Sequence, residues 1–281
     1  MKKEQQYLQE QLAMHYAAGE AAAIARWVFE NRFHYTRLDY CLGKDREFSK
    51  DEREDFENIV SRLLENEPLQ YILGETEFCG LHFSVNRHVL IPRPETEELV
   101  RWIADDAISC DAPRILDWGT GSGCIAISLA HLLPNASVAA CDLSAEALAV
   151  ARQNADDNGV SVSFFRDDML QPEHLPQEAS WDVWVSNPPY ICESERVEMD
   201  RNVLDYEPAS ALFVSDDDPL LFYRAVACHG LRCLHAGALL YFEINRAYGS
   251  EMVQMLQKMG YQDVELRQDL FGNNRMIKCR R

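Results

Sequence analysis

From residue 113 onward the chain alternates short apolar runs with helix-period segments, and this alternation constrains the fold more than any other feature. Arg114–Asp117, Ser137–Cys141, Ser161–Arg166 and Trp181–Ser186 have the length and composition of buried strands. Between them lie helical stretches, Ser122–Leu132 and one opened by Ser144 as N-cap and stopped at Asn158-Gly159. Asp218-Pro219 opens a further helix, with Gly237 closing it. Leu239–Ile244, Val264–Gln268 and Met276–Cys279 read as strands, and Ser250–Met259 as a helix. A chain patterned this way folds as an α/β sheet with helices on both faces.

The first 74 residues read differently, as helices. Ser49-Lys50-Asp51-Glu52 is a capping box. Phe56, Ile59, Val60, Leu63 and Leu64 then recur on one helical face, and Pro68 ends the run. Ile24, Trp27 and Val28 share a face of an earlier helix. Residues 75–92 are short and rich in β-formers, and the spacing predicts a hairpin turning at Asn86-Arg87. The expected layout is a helical domain over 1–74, a β-hairpin linker over 75–92 and an α/β domain over 93–281.

Composition removes several classes. Net charge is −19, which argues against a chain that grips nucleic acid by neutralising phosphates. Residues 1–72 hold 14 acids and 10 bases, and the remainder 32 and 17, so the acidity sits mainly on the α/β part. The longest apolar runs are too short to span a bilayer, and no h-region follows the lysines at the N-terminus. Nine cysteines without a C-x-x-C pair argue against a disulfide framework and fit a reducing cytoplasm. No histidine pattern suggests a metal site.

Three constellations carry chemistry. Asp117-Trp118-Gly119-Thr120-Gly121-Ser122-Gly123 joins a strand to a helix, where glycines let backbone approach a ligand. A dinucleotide fingerprint starting at Gly119 needs glycine at 124, where Cys124 stands, and a phosphate loop needs Gly-Lys-Ser/Thr. Neither NAD nor ATP is therefore expected. Asp142 ends the next strand, where an acid can accept from both hydroxyls of a ribose. Asn187-Pro188-Pro189-Tyr190 follows the strand Trp181–Ser186, at the carboxyl edge where such sheets bind ligands. Its prolines stiffen it. The Asn187 side-chain oxygen and the Pro188 carbonyl can accept the two hydrogens of a planar –NH₂, with Tyr190 packed on its face.

Together these motifs resemble a class I S-adenosylmethionine-dependent methyltransferase, a seven-stranded, mostly parallel Rossmann-like sheet. Asn-Pro-Pro-Tyr resembles the motif of enzymes that methylate the planar nitrogen of adenine, cytosine or a glutamine amide. Glu67-Pro68-Leu69-Gln70-Tyr71-Ile72-Leu73-Gly74, Leu90-Ile91-Pro92-Arg93-Pro94-Glu95-Thr96-Glu97, Tyr206-Glu207-Pro208-Ala209-Ser210-Ala211-Leu212 and Asp269-Leu270-Phe271-Gly272-Asn273-Asn274-Arg275 resemble the HemK family, glutamine methyltransferases of peptide chain release factors. The resemblance runs over nearly the whole chain.

It implies methyl transfer from S-adenosylmethionine, leaving S-adenosylhomocysteine, to the glutamine of a Gly-Gly-Gln motif in a release factor. The helical domain would recognise the substrate. Asp117, Gly119, Thr120, Gly121, Ser122, Gly123, Asp142, Asp168, Met169 and Asn187 would hold the cofactor. Asn187, Pro188 and Tyr190 would be catalytic, and with Pro189 and Arg93 would bind substrate. Met169 stands where the family often has an aromatic residue, and Trp118 where an aliphatic one is usual; Trp118 reads as core filler. Arg93 has two readings, a surface pair with Glu95 or Glu97 and a part of the substrate entrance. The implied enzyme is a cytoplasmic monomer with a protein substrate and no direct nucleic-acid partner. The rival readings are a nucleic-acid amino-methyltransferase and a scaffold that has lost catalysis.

Overall fold

A computed structural model describes residues 1–42, 44, 46–107, 110–174 and 181–281. The chain forms two compact units, one of residues 1–74 with 200–206, the other of 75–199 with 207–281.

The first unit is helical. Helices α1 (Lys2–Leu12), α2 (Ala18–Trp27), α3 (Arg37–Cys41), α4 (Lys50–Leu64) and α5 (Leu69–Leu73) bury Leu8, Leu12, Ala25, Phe29, Phe56, Ile59 and Leu63 together. The capping box forms as the sequence predicts: the Glu52 amide donates to the Ser49 hydroxyl at 3.2 Å, and the Ser49 amide donates to the Glu52 carboxylate at 2.9 Å. Helix α4 stops at Leu64, four residues before Pro68, which instead precedes α5.

The second unit opens with a hairpin, β1 (Glu75–Phe78) and β2 (Leu81–Ser84). Its turn lies at Cys79-Gly80, not at the expected Asn86-Arg87. Both turn residues have positive φ, 52° and 76°, as a tight two-residue turn between right-twisted strands demands. Asn86 forms its own small turn, its side chain accepting from the His88 amide and its carbonyl from the Val89 amide.

The elements that follow are α6 (Pro94–Ala107), β3 (Arg114–Trp118), α7 (Cys124–Leu132), β4 (Ser137–Asp142), α8 (Ala145–Asp157), β5 (Ser163–Arg166), β6 (Trp181–Ser186), β7 (Ile191–Cys192), α9 (Arg201–Tyr206), α10 (Ala209–Leu212), β8 (Phe213–Val214), α11 (Leu221–Cys233), β9 (Leu234–Glu243), α12 (Gly249–Met259), β10 (Gln262–Gln268) and β11 (Asn274–Arg280). Of these, α9 groups with the helical unit, where the Tyr206 hydroxyl donates to the Glu65 carbonyl. Seven strands form one sheet in the order β10-β11-β9-β6-β3-β4-β5, and only β11 runs against the rest.

Alternation along the strands sends side chains to two cores. On one face Ile115, Val183, Val185 and Tyr241 meet Leu99 and Ile103 of α6, Ile127 of α7 and Ala155 of α8. On the other, Leu116, Trp118, Trp184, Leu240 and Phe242 meet Tyr223 and Val226 of α11 and Met252 and Leu256 of α12. The sheet thus carries helices on both faces, as the alternation predicts.

Helix α11 departs from expectation at both ends. It begins at Leu221 without a side-chain cap, because Asp218 is drawn to the guanidinium of Arg224. It ends at Cys233, and Gly237 lies inside β9 with φ 89°, where the pairing with β6 shifts register.

Candidate active site

The carboxyl ends of β3, β4 and β6 converge on a cavity of about 540 Å³. Its wall includes Gly119, Thr120, Gly121 and Ser122 from the turn after β3, Asp142 at the end of β4, Asp168 and Met169 after β5, and Asn187 and Pro189 after β6. Residues far apart in sequence therefore meet, as the strand order requires: β3 lies between β4 and β6. The segment 87–93 and Thr96 close a second side, and Pro208, Ser210, Ala211, Phe213 and Phe222 contribute as well.

The glycine turn is held from beneath. The amides of Gly119 and Thr120 donate to the Cys141 carbonyl at 2.9 and 3.0 Å. Gly119 and Gly123 both have positive φ. A Cβ on Gly119 would stand 3.0 Å from the Met169 methyl, and one on Gly123 would stand 2.7 Å from Ile127 and 3.1 Å from Ala151. Glycine at 119 keeps the cavity open beside Met169, and at 123 it lets α7 pack on α8.

Asp142 has each carboxylate oxygen accepting one backbone amide, Gly121 at 2.9 Å and Ser144 at 2.9 Å. Burial pushes its carboxyl upward despite those bonds. Each oxygen keeps a further lone pair, which suits a diol. The Ser122 hydroxyl is buried in the wall beside the Cys124 thiol, with no partner at hydrogen-bond distance among the described residues. An orphaned hydroxyl, a diol acceptor and a glycine cradle fit a nucleoside with a polar tail. The Asp168–Met169 corner is scaffolded by the buried Asp167, which accepts from the amides of Asp168 and Glu173 at 2.9 and 2.8 Å and of His174 at 3.1 Å.

Not every expected residue reaches the cavity. Asp117 is fully buried and absent from the wall; the Thr120 hydroxyl donates to it at 2.6 Å. Burial raises its carboxyl to about 7, so its place is under the loop rather than against a ligand. Gly123 caps α7 and is also off the wall. The Trp118 indole packs into the core, edge-on to Trp184 at 5.5 Å, yet Trp118 also borders the cavity. Pro188 and Tyr190 do not line the cavity either. The Asn187 amide and the Pro188 carbonyl have no hydrogen-bond partner among the described residues.

Arg93 pairs with neither Glu95 nor Glu97. Its guanidinium meets Glu207 at 2.5 Å, and Glu207 also accepts from the Ile91 amide at 3.1 Å. Glu97 is engaged by Arg101 and the Cys79 amide instead. Arg93 remains part of the cavity wall. Sequence reasoning missed Glu207 as its partner because 114 residues separate them. It also missed Asn154, fully buried in α8, which ties both backbone groups of Ser84 to the Ser122 carbonyl. An asparagine on a helix face otherwise made of Ala147, Leu148, Ala151 and Ala155 is the signal that could have found it. Among the described residues no three His, Cys, Asp or Glu side chains gather as a metal ion would require. No helix among them is long and apolar enough to cross a membrane.

Residues 96–204 match the Methyltransferase small domain family, and residues 5–74 match the PrmC N-terminal domain family. The chain is similar to a release factor glutamine methyltransferase of Bacteroides thetaiotaomicron, 46% identical over 275 residues that cover 98% of each chain. A protein of the same description from Enterococcus faecalis is 38% identical, with 92% of each chain covered. Among solved structures, the human Mettl16 catalytic domain bound to an RNA hairpin superimposes with a TM-score of 0.56 at 15% identity, over 84% of this chain and 82% of that one. A methyltransferase from Pyrococcus furiosus gives 0.52 at 17%, over 79% and 98%. At such identities these structures speak for the fold alone.

Proposed function

The chain belongs to the release factor glutamine methyltransferase family, and from that premise we infer that it transfers a methyl group from S-adenosylmethionine to the side-chain amide nitrogen of a glutamine in a peptide chain release factor. We place that glutamine in the Gly-Gly-Gln motif. The observation that carries the reading is that the glycine turn and Asn187, whose side-chain amide has no hydrogen-bond partner among the described residues, open onto one cavity.

In this reading Gly119, Thr120, Gly121 and Ser122 hold the methionine and ribose part of the cofactor. Asp142 takes the ribose hydroxyls, and Asp168 and Met169 flank the base. Gly123 and Asp117 act indirectly, by shaping and supporting the turn. When bound, the cofactor supplies an electrophilic methyl on a positively charged sulfur.

The nucleophile is the harder problem, because an amide nitrogen shares its lone pair with its carbonyl. The Asn187 oxygen accepts one N–H of the glutamine and the Pro188 carbonyl the other. Two acceptors orient the nitrogen and stabilise the positive charge that grows on it, and one of its two protons is released to water as the N–methyl bond forms, leaving a neutral methylated amide. Holding reactants in near-attack geometry can supply about 7–11 kcal/mol. Pro189 and Tyr190 keep the segment rigid, and Arg93, steadied by Glu207, shapes the cavity entrance.

We further propose that the helical domain over 1–74 recognises the substrate, and that the chain acts as a monomer, in the cytoplasm, on protein without nucleic acid. Support for the cytoplasm and for a protein substrate comes from nine cysteines without a C-x-x-C pair and a net charge of −19 suited to a basic substrate loop.

The test is methyl transfer to purified unmethylated release factor, followed by peptide mass mapping. One added methyl on the Gly-Gly-Gln glutamine is expected. Transfer to RNA or DNA instead would keep the cofactor site and overturn the substrate.

A further inference from the structure

We propose that Glu243 and Asn245, at the end of β9, are positioning residues for methyl transfer, acting through Tyr190 to hold the Asn-Pro-Pro-Tyr segment against the cavity. The proposal rests on the glutamine-methylating reading above.

Tyr190 is gripped at three points. Its amide donates to the Leu212 carbonyl at 3.2 Å. Its carbonyl accepts from the Asn245 side chain at 3.0 Å. Its hydroxyl donates to Glu243 at 3.1 Å. Asn245 is fixed in turn, since the same amide group donates to Glu195 at 2.8 Å and its backbone N–H donates to the Tyr223 hydroxyl at 3.2 Å.

Glu243 is only 1% exposed and has no ion pair within 4 Å among the described residues. A carboxylate in that setting is costly unless its oxygens are satisfied. One oxygen takes the Tyr190 hydroxyl and the other takes the Thr96 hydroxyl at 2.6 Å. A glutamine has one acceptor oxygen and could serve only one of these donors in that way. Thr96 is itself in the cavity wall, on the first turn of α6. One buried carboxylate therefore joins the start of α6 to the end of the Asn-Pro-Pro-Tyr segment.

The prolines make this grip matter at Asn187. Pro188 and Pro189 each have φ locked by their rings, and residues before proline are restricted too. Few soft dihedrals remain between Tyr190 and Asn187. Fixing the Tyr190 ring and carbonyl thus fixes where the two amide acceptors point, although neither Glu243 nor Asn245 lines the cavity.

The experiment is steady-state methylation of release factor by the full-length enzyme, with Glu243→Gln, Tyr190→Phe and the double variant, and S-adenosylhomocysteine affinity measured by calorimetry. A misplacement of about 1 Å can cost about 100-fold in rate, so each single variant should lose about 10- to 100-fold in kcat. KM for release factor and affinity for S-adenosylhomocysteine should stay within about 2-fold, because ground-state binding is not what the clamp supplies. The double variant should fall no further than the worse single one, since both remove the same contact. Wild-type kcat in Glu243→Gln, fully multiplicative losses, or cofactor affinity falling in step with kcat would each overturn the proposal. Should Glu243→Gln fail to fold, Tyr190→Phe decides: undiminished kcat overturns the clamp, and a kcat loss with intact KM supports it. If wild-type enzyme does not methylate release factor, the functional reading fails and the clamp with it. If wild type does and the variants match it, only the clamp fails.

Discussion

Asn187 and Asp117 are both acidic-or-amide side chains at the carboxyl edge of the sheet, yet their surroundings give them opposite tasks. Asn187 lies in the cavity wall with a side-chain amide that has no partner among the described residues, so its removal should cost chemistry rather than binding. Asn187→Ala is expected to lose about 100-fold or more in kcat, the scale for deleting one charge-stabilising group, with cofactor affinity nearly unchanged. Steady-state kinetics beside calorimetry checks this. Asp117 is sealed beneath the turn, where burial raises its carboxyl to about 7. In the unfolded chain the same group titrates near 4. The folded state therefore keeps a proton that the unfolded state has released, and this group's contribution to stability is lost as pH rises from about 4 to about 7. Urea midpoints at pH 5 and pH 8 should fall more for wild type than for Asp117→Asn, which cannot titrate. Equal falls would show that Asp117 ionises freely when folded. The acid before the glycines was visible in the sequence; whether it faced ligand or core was not, because burial depends on what α7 and the turn place over it.

At the scale of elements, local chemistry decided most boundaries. The capping box at Ser49 and Glu52 needs only four consecutive residues, and it forms. Ser49→Ala should destabilise the helical unit by about 1 kcal/mol, measurable as a lowered urea midpoint. Gly123→Ala should cost more, about 1–3 kcal/mol, because the added methyl meets both a strained φ and the packed Ile127 and Ala151. The same denaturation experiment tests it. Where elements were misplaced, a competing contact outweighed the local signal. Asp218-Pro219 has the makings of a helix start, but Asp218 is engaged by Arg224 and α11 begins later, at Leu221. The hairpin turns at Cys79-Gly80 because only there do two successive residues adopt positive φ. A cysteine in that conformation is not a signal that propensity offers.

For the whole molecule, charge and topology dominate. A net charge of −19 gives a field that attracts basic partners and weakens with salt. KM for release factor should rise severalfold as ionic strength rises from about 0.05 to 0.5 M, with kcat changing less. A KM that ignores salt would remove electrostatic docking from the account. Strand–helix alternation, the glycine turn, Asp142 and Asn-Pro-Pro-Tyr were all legible because each is a pattern of neighbouring residues, and the α/β class followed from them. The pairing of Arg93 with Glu207, the hold of Asn154 on Ser84 and Ser122, and the clamp of Glu243 on Thr96 and Tyr190 were not legible. Nor does anything local in residues 200–206 announce that they group with the helical unit. Short-range order is set by backbone preferences and by the period of apolar residues, which a sequence displays directly. The partners of a buried charge are set by which strands the sheet brings side by side, and that order exists only once the chain has folded.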